Sequence, residues 1–359
     1  MARSEAIQGN GTKSEEIRAQ YKKFIGRKIL FIFSSIILIV ITAGISATLG
    51  SYSISVVEVY SILWHGLFQN PETTKEIVVW DLRLPRILLG ILAGIGLAIA
   101  GTAMQGVVRN PLASPYTLGI ASAAGFGAAV AILLGAGFVT GQYLIIANAF
   151  IFALLSSFII YGLSRRKGAT PETMILAGIA LMYLFSAMTG ILQYFGEAEA
   201  VKEVVFWMFG SLGRATWDKL FFVFVILAIC VPILMSKSWD LNTLGAGDES
   251  AKSLGVNVEQ TRVVCFTLAS LVTAGIICFT GTIGFIGLVA PHMCRMVIGG
   301  DNRYLIPASG LFGAALLLGA DTVARTIIAP TILPVGLITA FMGVPLFLYL
   351  ILRRRGEYW

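Results

Sequence analysis

Residues 110–164 read NPLASPYTLGIASAAGFGAAVAILLGAGFVTGQYLIIANAFIFALLSSFIIYGLS, a stretch of 55 positions without one Asp, Glu, Lys or Arg. A helix rising about 1.5 Å per residue crosses the roughly 30 Å of bilayer hydrocarbon in about 20 apolar residues. The stretch is therefore long enough for two crossings. Glycines between positions 135 and 141 divide it into spans at 117–134 and 143–163. Nothing in it alternates apolar and polar residues as the short strands of a membrane barrel do.

The rest of the 359-residue chain repeats this pattern. Charge-free runs also occupy 29–57, 87–108, 173–196, 263–294 and 326–352. Hydrophobic residues make up 57% and charged residues 13%, with mean hydropathy +0.85, whereas about 25% charge is usual in a globular protein. A soluble fold and a disordered chain are both excluded. The composition predicts an all-α polytopic membrane protein.

The crossings follow from length and punctuation. A polar tail, residues 1–28, carries seven Lys or Arg and leads into an apolar run at 29–49. Small residues at 43–47 resemble a cleavage site, but the run is too long for a signal-peptide core and reads as an uncleaved first span. Further spans are predicted at 87–107, 174–195, 220–235, 263–283, 304–325 and 334–352. A short piece at 288–298 crosses only with help from the loop before it. With the two spans of the opening stretch this makes ten crossings. Residues 201–210 are too short to cross and predict a half-buried helix on the outer face. Gly90 with Gly94, and Ser309 with Gly313, are small-residue pairs that let helix backbones approach in lipid.

Charge orients the bundle. With the tail in the cytoplasm, 19 of the 26 Lys and Arg fall on inside segments, including Arg109, Arg165, Arg166, Lys167 and the terminal Arg353, Arg354 and Arg355. The excess of inside cations predicts both termini in the cytoplasm. The net charge of +7 is therefore read as membrane anchoring, and nucleic acid is not expected as a partner.

Several chemistries lack their residues. The four cysteines lie in apolar runs without CxxC spacing and read as core residues; with two histidines in the whole chain, no metal site is expected. No GxxxxGK[ST] loop exists to cradle a phosphate. The spans hold no HExxH, GxSxG or paired carboxylates, which leaves an intramembrane enzyme without machinery and no catalytic residue to name. Asp321 and Arg325 lie one turn apart near an outer helix end and read as an internal ion pair. A gradient-driven carrier usually keeps ionisable groups near the midplane, and these spans are almost free of them. Energy comes either from a gradient sensed through backbone groups or from another chain.

The longest inside loop, 237–262, is patterned. Asp240 is placed to cap a short helix closed by Gly245, and Asp248 a second one through Leu254 closed by Gly255. Ala251 and Leu254 then share a side and form an apolar knob. The pattern suits an ordinary capped loop and a docking point for a soluble partner alike.

Longer motifs narrow the choice. Arg83-Leu-Pro-Arg86 precedes Gly101-Thr-Ala-Met-Gln105-Gly and Arg109-Asn-Pro-Leu-Ala113. Gly281-Thr-Ile-Gly-Phe-Ile-Gly287 runs into Leu-Val-Ala-Pro291-His292, and the chain closes with Leu333-Pro-Val-Gly336 and Gly343-Val-Pro345-Leu-Phe. In this order, over residues 29–355, the chain resembles the FecCD permeases of ABC importers for iron-siderophores, haem and cobalamin. The resemblance implies ten helices, two halves (spans two to five and seven to ten) related by an inverted repeat, and a dimer with a second copy or a paralogue. It implies two ATP-binding subunits on the inside, which carry the ATP and Mg, and a substrate-binding protein outside; no cofactor belongs to this chain. Asp248, Ala251, Leu254 and Gly255 match the coupling segment. Arg83, Arg86 and Arg325 match positions that present arginines to acidic residues of the binding protein, a role their planar fork suits. Asn110 and Leu112, with Thr170, Pro171, Glu172 and Thr173, match the inner gate. The expected cargo is a metal chelate, iron(III)-siderophore first, then cobalamin or haem. A gradient-driven secondary transporter is the alternative of another class.

Overall fold

The computed structural model describes residues 2–50, 52, 54–66, 71–166 and 170–352. Lys167 and Arg353–Arg355, counted above among the inside cations, lie outside the described residues. Helix α1 (Ala2–Thr48) is continuous for 47 residues, so tail and first span form one rod of about 70 Å. Helix α2 (Val56–His65) and helix α3 (Thr74–Ile77) each start on a reciprocal capping box, Ser55 with Glu58 and Thr73 with Glu76.

The second span begins earlier than its apolar run. Residues 78–83 continue α3 as a π-turn into α4 (Leu84–Val107). Pro85 has no N–H for the helical ladder, and Leu84 N–H reaches back five residues to Val79 O. The wide turn rotates the helix so that Arg83 and Arg86 face inward while Asp81 stays exposed.

Helix α5 (Ile120–Leu134) is short and follows a turn-rich segment, 108–119. Helices α6 (Leu144–Arg166) and α7 (Pro171–Phe195) complete the first half. Helix α8 (Ala198–Met208) is the predicted half-buried piece, with Val204 and Trp207 inward. Helix α9 (Trp217–Ser236) leads to α10 (Ser238–Gly245) and α11 (Asp248–Ser253). The second half is α12 (Val258–Thr280), α13 (Ile286–Ile298), α14 (Asn302–Thr326) and α15 (Val335–Leu352). Every predicted crossing holds a helix. Among the described residues seven helices are long and apolar enough to cross; the apolar helices α5, α13 and α15 have 15, 13 and 18 residues.

The packing pattern is that of two related halves. Helix α4 lies along α14 while its counterpart α12 lies along α6, and α4 meets α12 at the centre. The short α5 and α13 occupy matching places, each after a non-helical segment. Those two segments meet: a Cβ on Gly284 would fall 3.7 Å from the Tyr116 ring. Helices α4, α12 and α14 are largely buried, whereas α1, α7 and α9 expose most of their apolar surface.

Association in lipid depends on close contact, because lipid tails are as apolar as the helices. One member of each predicted small-residue pair, Gly94 and Gly313, faces the other. A Cβ on Gly94 would fall 2.5 Å from the Gly313–Ala314 backbone, and one on Gly313 would fall 2.7 Å from Gly94 O. Gly101 is tighter still, its Cβ position lying 1.8 Å from Gly287 O at the start of α13.

At the tail-bearing end a polar clamp ties α1, α10 and α14. Asp301 caps α14 and receives Arg303 Nη2 at 2.7 Å, Asn242 Nδ2 at 2.9 Å and Lys28 Nζ at 3.4 Å. Lys28 also lies over the Tyr304 ring and Arg303 over the Trp239 ring. Burial raises the Asp301 pKa, but the hydrogen bonds from Arg303 and Asn242 and the charge of Lys28 outweigh it, holding the carboxyl well below its ordinary 3.8.

Two outcomes are expected. Gly101→Val forces backbones apart and lowers stability by about 1–3 kcal/mol or prevents folding, whereas Gly162→Val, with open space around it, stays near wild type; thermal melting of the purified protein decides. The folded Asp301 pKa is depressed, so the clamp's stabilisation is fully present above about pH 4 and is lost only as pH falls through the lower folded value. Asp301→Asn keeps the cap and removes the charge. The melting difference between wild type and this variant should hold down to about pH 4 and shrink below it; shrinkage at higher pH contradicts the assignment.

Candidate functional site

The 237–262 loop folds as two short helices, with caps that differ from those predicted. Asp240 does not cap α10; it lies in the first turn, where its carboxylate takes Lys237 Nζ at 2.9 Å and Thr261 Oγ1 at 3.2 Å. Lys237 holds the cap position. Gly245 is the last residue of α10 rather than its left-handed stop, which falls at Gly247 with φ +105°. Asp248 opens α11 without a side-chain capping bond. Its carboxylate is drawn away by Arg262, whose Nη1 and Nη2 donate at 3.0 and 2.7 Å, and by Arg109 Nη1 at 3.5 Å. A full guanidinium charge attracts the carboxylate more strongly than the partial charge at a two-turn helix end.

Gly255 closes α11 as predicted, at φ +83°, with Val256 N–H donating to Ala251 O. Ala251 and Leu254 do not form a joint knob. Ala251 is fully buried in the chain's own core, and Leu254 alone stands out, 70% exposed. Ala251 therefore anchors α11 and Leu254 is its free apolar tip.

The predicted gate residues sit in two tight turns. Arg109 ends the α4 segment at φ +48°. Asn110 Oδ1 accepts Leu112 N–H at 2.9 Å, which folds the turn and leaves the Leu112 side chain about half exposed. At the start of α7, Thr170 caps the helix by accepting Thr173 N–H, and the two hydroxyls stand 3.0 Å apart. Pro171 occupies the first helical position, buried, while Glu172 is exposed.

At the opposite end the three predicted docking arginines are not presented at the surface. Arg83, Arg86 and Arg325 are 6%, 9% and 6% exposed. Arg86 donates Nε and Nη2 to Asp321 at 2.8–3.1 Å, and Arg325 Nε donates to the same carboxylate at 3.1 Å. Arg325 also reaches Ser46 O and Leu49 O, at 3.1 and 3.2 Å. Arg83 donates to Ala47 O at 2.7 Å, to Thr48 O and to Tyr52 O. The carbonyls at a helix C-terminus lack intrahelical donors and carry partial negative charge. Two of the arginines thus satisfy the end of α1, and the Asp321–Arg325 pair read from the sequence gains Arg86 as a second partner. The inward turn at 78–83 decides this burial, and a list of charges could not show it.

In the sequence Arg262 was legible only as an inside charge, and Arg109 as an inside charge that opens a motif, without a partner for either. A sign was present, since Arg262 ends the polar first turn of a helix that is otherwise apolar. Its partner, Asp248, is separated from it by 14 positions, and no helical spacing joins them.

The FecCD transport family model matches residues 36–353. This chain belongs to that family. The FecCD permease is 40% identical to the hemin transport system permease of Yersinia pestis, over 90% of this chain and 95% of that one. It is 37% identical to the cobalamin import system permease of Halobacterium salinarum, over 87% and 85%. A solved structure, an inward-facing ABC transporter of metal-chelate type, superposes with TM-score 0.79 at 35% identity, over 90% and 99%. The chain is the membrane-spanning permease of an ABC importer, and the matched region contains both halves of the repeat.

The buried arginine cluster yields a prediction. Asp321→Asn removes the single carboxylate shared by two buried guanidinium groups. Removing one partner of a buried charged pair costs about 3–5 kcal/mol, so melting of the purified variant should fall sharply. A change of only a degree or two would mean that the shared carboxylate contributes little to holding Arg86 and Arg325.

Proposed function

We propose that this permease lies in the cytoplasmic membrane of a prokaryote with both termini inside, and imports a metal chelate on energy from separate ATP-binding subunits. Two copies of the chain, or one with a paralogue, enclose the path. Two ATP-binding subunits, which hold the ATP and Mg, dock on the α10–α11 end. A substrate-binding protein delivers cargo to the opposite end. The orientation rests on the distribution of Lys and Arg, which are concentrated at the α10–α11 end.

The observation that carries the coupling role is Leu254. It stands 70% exposed on a short helix whose other apolar residue, Ala251, is buried and whose Asp248 is ion-paired to the scaffold. An apolar tip on a rigid base suits a cleft in a soluble subunit and passes a rigid-body movement to the bundle. Asn110, Leu112 and residues 170–173 are proposed as the gate at the same end. With Arg83, Arg86 and Arg325 buried, docking of the binding protein is assigned to other residues of the opposite face.

A chelate arrives with its metal already ligated, so the path needs no ligating side chains of its own. Iron(III)-siderophore remains the first cargo proposed. Haem and cobalamin are the alternatives, and relatives for both are named above.

The test is Leu254→Glu in the tagged chain purified gently from its native membrane. The wild type should bring down an ATP-binding subunit in equal numbers, and the variant should lose it while melting normally. Uptake into proteoliposomes should follow ATP and ignore ionophores, with ferric siderophore, haem and cobalamin tried in turn. A solitary wild-type chain that transports on an ion gradient would replace this reading with secondary transport.

A further inference from the structure

Asp248 joins Arg109 and Arg262, which are 153 positions apart in sequence. One limb of its carboxylate is fixed: Arg262, 2% exposed on the first turns of α12, holds both oxygens at 2.7 and 3.0 Å. The other limb is looser: Arg109 Nη1 lies 3.5 Å from Oδ1, and both of these side chains are about one-third exposed. Arg109 opens the turn after α4. Its φ of +48° is a conformation that residues other than Gly, Asn and Asp seldom take unless something holds them there. The next residue is Asn110, whose carboxamide folds the turn that exposes Leu112.

A displacement of α11 therefore has one direct charged route to the 109–113 turn. Helix α11 is otherwise tied to α10 and α12, and α10 packs on both α4 and α14, so the Arg109 pair is the link that reaches the turn itself. The limb toward Arg262 keeps α11 attached to the second half of the bundle, while the limb toward Arg109 reaches the first half. An ion pair between partly solvated groups can lengthen or break at small cost, so this second limb is the one able to change during a cycle.

We propose that Asp248 is a positioning residue whose contact with Arg109 transmits movement of α11 to the Asn110–Leu112 turn, and so ties ATP hydrolysis to opening of the gate. The inference rests on the reading of α11 as the coupling helix. Without the Arg109 limb, the ATP-binding subunits still dock and turn over, but the turn no longer follows them.

The variant that isolates this is Arg109→Asn. Asparagine tolerates a left-handed φ, so the turn keeps its backbone and loses only the reach to Asp248. Arg109→Lys returns the charge. Asp248→Asn is less informative, because it leaves the buried Arg262 without its carboxylate. The measurement is uptake per ATP hydrolysed by the full complex in proteoliposomes, using radiolabelled ferric siderophore, haem or cobalamin according to which the wild type imports. Arg109→Asn should keep its ATP-binding subunits, melt close to wild type and go on hydrolysing ATP, with uptake per ATP down about tenfold, within the usual range of coupling between sites. Arg109→Lys should recover most of the loss. An unchanged ratio overturns the proposal, as does a parallel fall of hydrolysis and uptake. Loss of the ATP-binding subunits from Arg109→Asn also overturns it, assigning the pair to docking. A wild-type chain that brings down no ATP-binding subunit refutes the coupling reading itself, a separate result.

Discussion

Backbone contact across glycine is the constraint on which the rest of this membrane protein depends. Inside a bilayer, helices gain nothing by hiding apolar surface from one another, so they associate through close packing and interhelical hydrogen bonds. Helix α4 is the element that exploits this most. Gly94 meets the Gly313–Ala314 backbone of α14, and Gly101 meets Gly287 at the head of α13. These contacts fix α4 against the second half of the chain. They also hold the short α13 at a depth that its 13 residues could not select alone, because a helix of about 20 Å can slide within the bilayer.

Charges do their structural work at the two ends, where side chains leave the hydrocarbon. At one end Asp301 gathers Lys28, Asn242 and Arg303, which binds the long first helix to the loop helices. At the other, Arg86 and Arg325 share Asp321, while Arg83 and Arg325 hold the last carbonyls of α1. Helix α1 is thus pinned top and bottom by polar contacts, and between them it exposes most of its apolar surface. This division explains how a largely exposed helix keeps a defined place without glycine contacts of the kind α4 makes.

The same economy of contacts shapes the coupling loop. Helix α11 is too short to be stable alone, since an isolated helix needs roughly 12 residues or more. It is held by the buried Ala251, the Gly255 closure and the paired Asp248. What remains free is the Leu254 side chain. A rigid base with a single apolar tip concentrates contact at one point, and the ion pairs behind it join α11 to Arg262 and Arg109.

The amino-acid sequence by itself determined the class of fold, the ten crossings, the family and the location of the loop helices. These depend on runs of apolar residues, on local punctuation by Gly and Pro, and on motifs in order, all of which are one-dimensional. It also predicted the Asp321–Arg325 pair, because a one-turn spacing on a helix is a local fact. The tertiary structure alone decided the partners of charges from different segments. It turned Arg83 and Arg86 inward through a π-turn, took Asp248 from its expected cap to Arg262 and Arg109, and buried Ala251. Each of these outcomes turns on a few ångströms of helix rotation, set by how neighbouring helices pack, and no spacing along the chain encodes that distance.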